Sequence, residues 1–390
     1  MLGCKSGWKV PIFALLLGFV STKSSSAELE WRGFLTTGAS FTDSAVPYQQ
    51  GINRKARATE ETFLGLNLSK DLGADWRVAA QILARASQAD STAKVDWAFV
   101  TYEPNSNWNI SLGRQKIPMW MVSAYLDVGR AYPWVVPPEE VYTLFNLKSF
   151  TGAAAAFALP IGSSTLTFRP YGGDVLIESV PNAPTRESKI RGSNMFGSSL
   201  EWVQGKSSLR LAYNRALWNL NIGPALQFSE RRYEILTFGV KTDWEGFWMS
   251  AEYAATRDND EDRYFKEADK LDAEIATTTD GTLIPALAAR SALLHRRIGG
   301  SQGYYATVGK QIDAYLLHLT YAAVKRPTTP TLSRDQKSLA LGLNYDLNVD
   351  SVIKLEAKRV YVPLNSQGLF DAKPTVDEAM VYRIGYSMIF

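Results

Sequence analysis

Along this 390-residue chain, large apolar side chains recur at every second position in short runs, with polar or small residues between them. A period of two puts alternate side chains on opposite faces of an extended strand. The closing run is the plainest, with Met380, Tyr382, Ile384, Tyr386, Met388 and Phe390 on one face and Arg383, Gly385 and Ser387 on the other. The pattern predicts sixteen strands, one opening strand over 29–41, seven pairs, and the closing strand over 380–390. The pairs are 62–69 with 76–85, 93–103 with 108–113, 149–159 with 165–171, 194–203 with 208–215, 234–243 with 247–257, 303–312 with 314–324, and 337–347 with 351–361. The spacing admits counts from fourteen to eighteen. Trp76, Val78, Ala80, Ile82 and Ala84 alternate with Arg77, Gln81 and Arg85, while Val95, Trp97, Phe99, Trp108, Ile110 and Leu112 are assigned to the apolar outer face.

Partners within a pair are joined by short polar turns such as 70–75, whereas successive pairs are separated by longer connections. An even count with short turns on one side and long loops on the other fits a closed transmembrane antiparallel β-barrel. About sixteen strands leave an aqueous channel, whereas about eight would be filled by side chains. A soluble sandwich or propeller is the alternative for alternating strands with glycine-rich turns. A terminal apolar strand is an aggregation hazard in water, and closure against the first strand removes it. Tyr382, Ile384, Tyr386, Met388 and the final Phe390 resemble the C-terminal signature of Gram-negative outer-membrane barrels. That resemblance implies outer-membrane lipid and lipopolysaccharide as surroundings, and the barrel-assembly machinery as a partner of the last strand.

Lys5 and Lys9 precede an apolar run from Val10 to Val20, and Ser25-Ser26-Ala27 supplies small residues for cleavage after Ala27, so 1–27 reads as a signal peptide and 28–390 as one barrel domain. The run of 11 residues is too short to span a bilayer as a helix. Cys4, the single cysteine, falls in that segment, so neither a disulfide within the mature chain nor thiolate metal chemistry is expected. The net charge is +3, and the segment carries Lys5, Lys9 and Lys23 with no acid, which leaves the mature chain near neutral. Nucleic acid is thereby not expected as a partner. Aromatic residues make up 12%, as suits a protein with two membrane-interface girdles.

The connection over 118–148 is rich in Trp, Tyr and Pro, too apolar for a solvated loop, so it is expected to pack against something. Here the chain resembles the general and substrate-specific porins, trimeric sixteen-stranded barrels whose third long loop folds inward and narrows the pore. The resemblance implies a homotrimer and a constriction loop over 118–148, with the small residues of Gly152-Ala153-Ala154-Ala155-Ala156 as its platform. The alternative is a structured cap outside the barrel. Leu112-Gly113-Arg114 resembles the end of the fifth porin strand, which makes Arg114 a candidate for a basic wall, provided a bulge near Gly113 turns it inward. The acidic motif of the general-porin third loop is absent, and Phe63 stands where a second wall arginine is common.

On the polar strand faces the lumen candidates include Arg77, Arg85, Lys94, Arg169, Arg210, Lys354, Lys358 and Arg383 with Asp96, and in the loop Asp127, Arg130, Glu139 and Glu140. Counting Arg32, Lys241, Glu30, Glu201, Glu252 and Glu356 as well, the wall holds ten cations against five acids. Basic rings favour anions, unless the charges pair across strands and only hydrate the wall. The second long connection, 258–302, has helical rhythm at Tyr264, Ala268, Leu271 and Ile275 and again over 284–298, so it reads as a partly helical extracellular loop or a mobile one with nascent helix. The expected function is a passive diffusion channel for small hydrophilic solutes or anions, with no cofactor, no metal-ligand cluster and no enzymatic activity. A loop-plugged barrel serving as adhesin or assembly scaffold is the alternative, and an outer-membrane hydrolase a more distant one. His318 falls on the lumen face, whereas the barrel phospholipases that the chain distantly resembles carry their catalytic residues outside. A plug-bearing active transporter would need an N-terminal domain before the second strand.

Overall fold

The computed structural model describes residues 28–49, 51–56, 58, 62–86, 92–145, 148–177, 189–221, 227–295, 299–328 and 333–390. The expected signal peptide, Cys4 and the 296–298 part of the second helical stretch lie outside them.

Sixteen strands form: β1 (Glu30–Thr42), β2 (Phe63–Asp71), β3 (Trp76–Arg85), β4 (Thr92–Asn105), β5 (Trp108–Lys116), β6 (Ser149–Ile161), β7 (Ser164–Ile177), β8 (Lys189–Gln204), β9 (Ser207–Asn221), β10 (Gln227–Trp244), β11 (Phe247–Asp258), β12 (Gln302–Ile312), β13 (Tyr315–Lys325), β14 (Gln336–Asp346), β15 (Ser351–Tyr361) and β16 (Glu378–Ile389). Each pairs antiparallel with the next, and β16 closes on β1 to make one barrel. Closure sets Thr37 against Tyr386, Ala39 against Ile384 and Phe41 against Tyr382. Phe390 extends the seam: its amide donates to the Gly33 carbonyl (2.9 Å) and its own carbonyl accepts from the Gly33 amide (2.7 Å). No backbone edge is left open at this seam, which is what a hydrocarbon environment demands.

The period-two pattern sorts the faces. On β14, Leu339, Leu341 and Leu343 are exposed while Ser338, Ala340 and Asn344 are buried. The same alternation exposes Leu317, Leu319 and Tyr321 on β13 and Leu211, Leu236 and Phe238 on β9 and β10, so a belt of apolar side chains faces outward. In water such a belt would be a large exposed apolar patch; in lipid it is solvated. Aromatic pairs mark the belt's ends, Tyr315 stacked on Tyr345 (4.9 Å between centroids) near the short turns and Tyr304 beside Tyr321 (6.2 Å) near the long loops.

One face assignment is overturned. Gln81 sits opposite Trp97 but Ile82 sits opposite Val95, which leaves Asp96 as an extra residue in β4. A bulge of this kind shifts the phase of the strand beyond it. Trp97 and Phe99 therefore share a face with Thr101 and line a lumen pocket, while Val95, Ile110 and Leu112 are exposed outside.

The long connection between β11 and β12 carries two helices, α2 (Glu261–Thr277) and α3 (Ile284–Leu294), which pack on one another. A single-turn helix, α1 (Glu139–Tyr142), lies in the connection between β5 and β6. No described helix is long and apolar enough to cross a membrane.

Candidate functional site in the lumen

The segment between β5 and β6 is buried against the inner wall. Met119, Trp120, Met121, Val122, Trp134, Val141, Leu144 and Phe145 are all buried. Their partners come from strands far away in sequence. Thr237 of β10 donates to the Met119 carbonyl (2.8 Å), and the Trp134 indole donates to Thr307 of β12 (3.1 Å) and Thr320 of β13 (3.0 Å). Only a segment inside the barrel reaches inward side chains on so many strands. The same apolar cluster takes in Tyr48 and Ile52 after β1 and Leu369 and Phe370 before β16.

Of the β6 alanines, Ala154 is buried in the same apolar cluster as the loop's Met119, Trp120 and Val122. Ala153 faces outward, and Ala154 lines open space beside the loop. The loop also leans on glycines of the opposite wall. A Cβ at Gly303 of β12 would come within 2.3 Å of the Glu140 carbonyl oxygen, and one at Gly239 of β10 within 2.5 Å of the Met121 side chain. Missing side chains let the loop backbone approach the wall this closely.

Charge fixes the loop in three places. Asp127 pairs with Arg85 of β3, with Lys116 at the end of β5 (2.7 Å) and with Lys148 (3.6 Å). Lys116 also reaches Asp96 (2.6 Å), the bulged residue, which accepts a hydrogen bond from Gln81 (2.9 Å). Glu139 meets Arg383 of β16 (2.5 Å) and Lys358 of β15 (2.7 Å) and accepts from the Tyr48 hydroxyl (3.1 Å). Glu140 pairs with Lys358 (3.0 Å) and accepts from Gln336 and Ser338 of β14 (both 2.7 Å). Arg383 is held in turn by Glu356 (2.9 Å). The third anchor inverts the polarity, for the Lys354 ammonium donates to the main-chain oxygens of Gly129 (2.5 Å), Tyr132 (2.5 Å) and Trp134 (2.9 Å). Arg130 pairs with Asp346 near the short-turn end (3.1 Å).

Burial alone would raise the Asp127 carboxyl, but Lys148, Lys116 and Arg85 outweigh it and hold it well below the usual carboxylate range. Glu139 is likewise lowered, burial being overcome by Arg383 and Lys358. Both loop carboxylates are therefore charged at any ordinary pH. A buried charge is tolerated only when paired and hydrogen-bonded.

The site residues expected from sequence divide by location. Arg85, Asp96, Asp127, Glu139, Glu140, Lys358 and Arg383 come together through the loop, joined by Lys354 and Arg130 at its other end. Arg210 donates to the Trp120 carbonyl and to Glu201 (2.9 Å). Arg77 stays apart, paired with exposed Asp71 (2.6 Å), and Lys94 is exposed and joins neither group. Arg114 departs from the expectation. Gly113 has a positive φ of 135°, yet Arg114 stays in register with Ala98 and exposed Thr151, in the row of exposed Leu112. Its Nε donates to the Asp96 carbonyl (2.9 Å) and no loop carboxylate pairs with it among the described residues. The irregularity at Gly113 distorts the strand without turning this side chain inward.

Sequence reasoning did not find Glu252 as an anchor: it accepts from the Met121 amide (2.7 Å) and the Tyr305 hydroxyl (2.8 Å), and also from Tyr142. Gln336, Ser338 and Lys116 were missed too. Alternation places Gln336 and Ser338 on the inner face, but their partners lie up to 288 positions away, and no local pattern encodes that distance; Lys116 falls by alternation in the row of Leu112 and reaches Asp96 and Asp127 only because the strand ends there.

Beside the docked loop a pocket of about 340 Å³ is open, lined by Glu103 and Thr101 of β4, Asn109 and Ser111 of β5, Lys116, and Arg169 and Arg210 of β7 and β9. Arg169 forms no ion pair among the described residues. The model of the Gram-negative porin family matches residues 14–361. The chain belongs to the Gram-negative porin family. This porin has no match among curated proteins. Solved structures that resemble it include Salmonella typhi OmpF in complex with daunomycin, at 12% identity and TM-score 0.56, covering 94% of this chain and 98% of the other. An anion-selective porin from Comamonas acidovorans gives 12% identity and TM-score 0.54, covering 94% and 100%. The trimer form of OmpT, an outer membrane protein of Vibrio cholerae, gives 10% identity and TM-score 0.55, covering 93% and 99%. Such low identities speak to the fold alone. Family and fold together make the protein an outer-membrane channel.

Proposed function

We propose that this porin passes small hydrophilic solutes by passive diffusion through a lumen narrowed by its 118–148 loop, with a modest preference for anions. The observation that carries this reading is the 340 Å³ pocket beside the loop, where Lys116, Arg169 and Arg210 face a single acid, Glu103. Lys116 and Arg210 are ion-paired with acids, whereas Arg169 forms no ion pair among the described residues and feels Glu201 only at longer range, so Arg169 supplies the field that anions meet. The basic wall of Arg77, Arg85 and Arg114 contributes less, because Arg77 and Arg85 are paired and Arg114 lies in the outer row. Export by a cleaved 1–27 segment, insertion through the Phe390 strand by the assembly machinery, contact with lipopolysaccharide and assembly as a homotrimer complete the reading. For the trimer the supporting observation is the trimer form of a fold relative. A 340 Å³ opening suits solutes of a few heavy atoms to sugar size.

A second reading, a loop-plugged barrel acting as adhesin or scaffold, has one observation in its favour: loop 118–148 and segments near both chain ends share one apolar cluster across the lumen. Planar-bilayer conductance separates the two. Steady current steps with an anion-side reversal potential support the channel, and a folded, heat-modifiable barrel that never conducts supports the plug.

A further inference from the structure

Outside the strands, α2 and α3 form a hairpin with its own small core of Tyr264, Ala268, Leu271 and Leu294, seated on the rim by Arg231 over the Tyr264 ring (4.7 Å). Neither the channel nor the docked loop uses this hairpin. Three groups converge on its solvent side. Asp269 and Asp272 stand three apart on α2, hence on one face. His295, whose amide still donates to the Ser291 carbonyl (2.9 Å), closes the last turn of α3. Its Nε2 is 3.2 Å from Asp269 Oδ1 and its Nδ1 is 3.8 Å from Asp272 Oδ2. Ser291 Oγ donates to Asp272 (2.5 Å), which orients that carboxylate. One ligand atom from each of the three residues lies within 4.8 Å of the others.

We propose that Asp269, Asp272 and His295 form a site for a divalent transition metal of the zinc class, which ties α3 to α2. Around a tetrahedral ion with ligands at about 2.0–2.1 Å, donor atoms sit roughly 3.3–3.5 Å apart. An ion takes one imidazole nitrogen, so with Nε2 as the donor beside Asp269 Oδ1 (3.2 Å), Asp272, now 3.8 Å from Nδ1, turns toward the Nε2 side, a movement within the 4.8 Å that the three ligand atoms span. Two carboxylates this close repel one another, and a cation between them removes the repulsion. An imidazole in the set selects zinc, nickel or copper over calcium and magnesium, which prefer oxygen alone. The side chains are 73% and 53% exposed for the aspartates and 27% for the histidine, so an ion has access from solvent and water completes its coordination. Ser291 supports the ligand Asp272, as the second shell of a metal site does.

The test is a zinc titration by calorimetry on the refolded full chain without a polyhistidine tag. The background is clean, since the chain has two histidines and one cysteine, and the other histidine, His318, is 2% exposed. The expected result is about one zinc per chain, with affinity reduced roughly tenfold or more in His295→Gln and in Asp269→Asn. Excess calcium leaves it unchanged. Heat-modifiable migration of each variant checks that the barrel has folded. Because a variant could loosen the hairpin itself, copper(II) electron paramagnetic resonance on the unmodified chain supplies an independent readout, with one nitrogen donor expected. No zinc binding, equal binding in His295→Gln, or a copper spectrum without a nitrogen donor would each overturn the site and would mean that His295 and the two aspartates form only a hydrogen-bonded cluster of the hairpin.

Discussion

The two sides of the lumen have opposite characters. The wall from β10 to β16 is covered by the loop, and its inward groups, among them Glu252, Trp134's partners Thr307 and Thr320, Lys354, Lys358 and Arg383, are engaged in holding it. The wall from β4 to β7 faces the open pocket and keeps Arg169 without an ion pair among the described residues. The difference teaches that a count of inward cations does not measure selectivity. A cation locked to a buried carboxylate fixes structure and offers little field to a passing ion, whereas a half-exposed one without a partner does the opposite.

Breaking the docked side has the largest expected effect. In Glu139→Gln with Glu140→Gln, Lys358 and Arg383 lose their loop partners while buried, which costs about 3–5 kcal/mol for each broken pair. The loop is expected to leave the wall, with single-channel conductance rising severalfold and heat-modifiable migration shifting to lower temperature. Gly303→Val pushes a side chain against the Glu140 carbonyl, where a Cβ already falls at 2.3 Å, and should raise conductance by about twofold while leaving every charge in place.

Acid tests the same side without mutation. Asp127 and Glu139 have lowered carboxyl pKa values, so their contribution to docking is complete above the ordinary carboxylate range near pH 4. It is lost as pH falls below that range and the carboxylates take up protons. Conductance should stay level from neutral pH to about 5 and become noisy or larger below about 4. Asp127→Asn should shift part of that behaviour to neutral pH.

The open side calls for smaller perturbations. Arg169→Gln is expected to move the reversal potential under a salt gradient toward the cation side with little change in stability, because the guanidinium forms no ion pair among the described residues. Arg114→Gln is expected to leave the reversal potential unchanged, since the residue lies in the outer row.

Much of the barrel was legible from the period-two pattern, because each strand writes its own two faces into local sequence. The sixteen strands and the β1 to β16 closure follow from it. Trp97 and Phe99 were misassigned because one extra residue, Asp96, shifts the phase, and nothing in the local composition marks the bulge. The aromatic content of 118–148 showed that the segment would be buried, but not on which wall. That choice rests on Gly303 and Gly239 and on carboxylates meeting Lys358 and Arg383 more than 200 positions away. Pairing over such distances is created by closure of the barrel, so the charge count from sequence overstated the free basic wall.

Single-channel conductance and reversal potential, measured side by side for the unmodified porin and Arg169→Gln in planar bilayers, test the central claim most directly. The account predicts steady steps in both, an anion-side reversal potential in the unmodified protein, and a shift toward zero or the cation side in the variant. An unchanged reversal potential in Arg169→Gln, or no steps from the folded unmodified barrel, would contradict it.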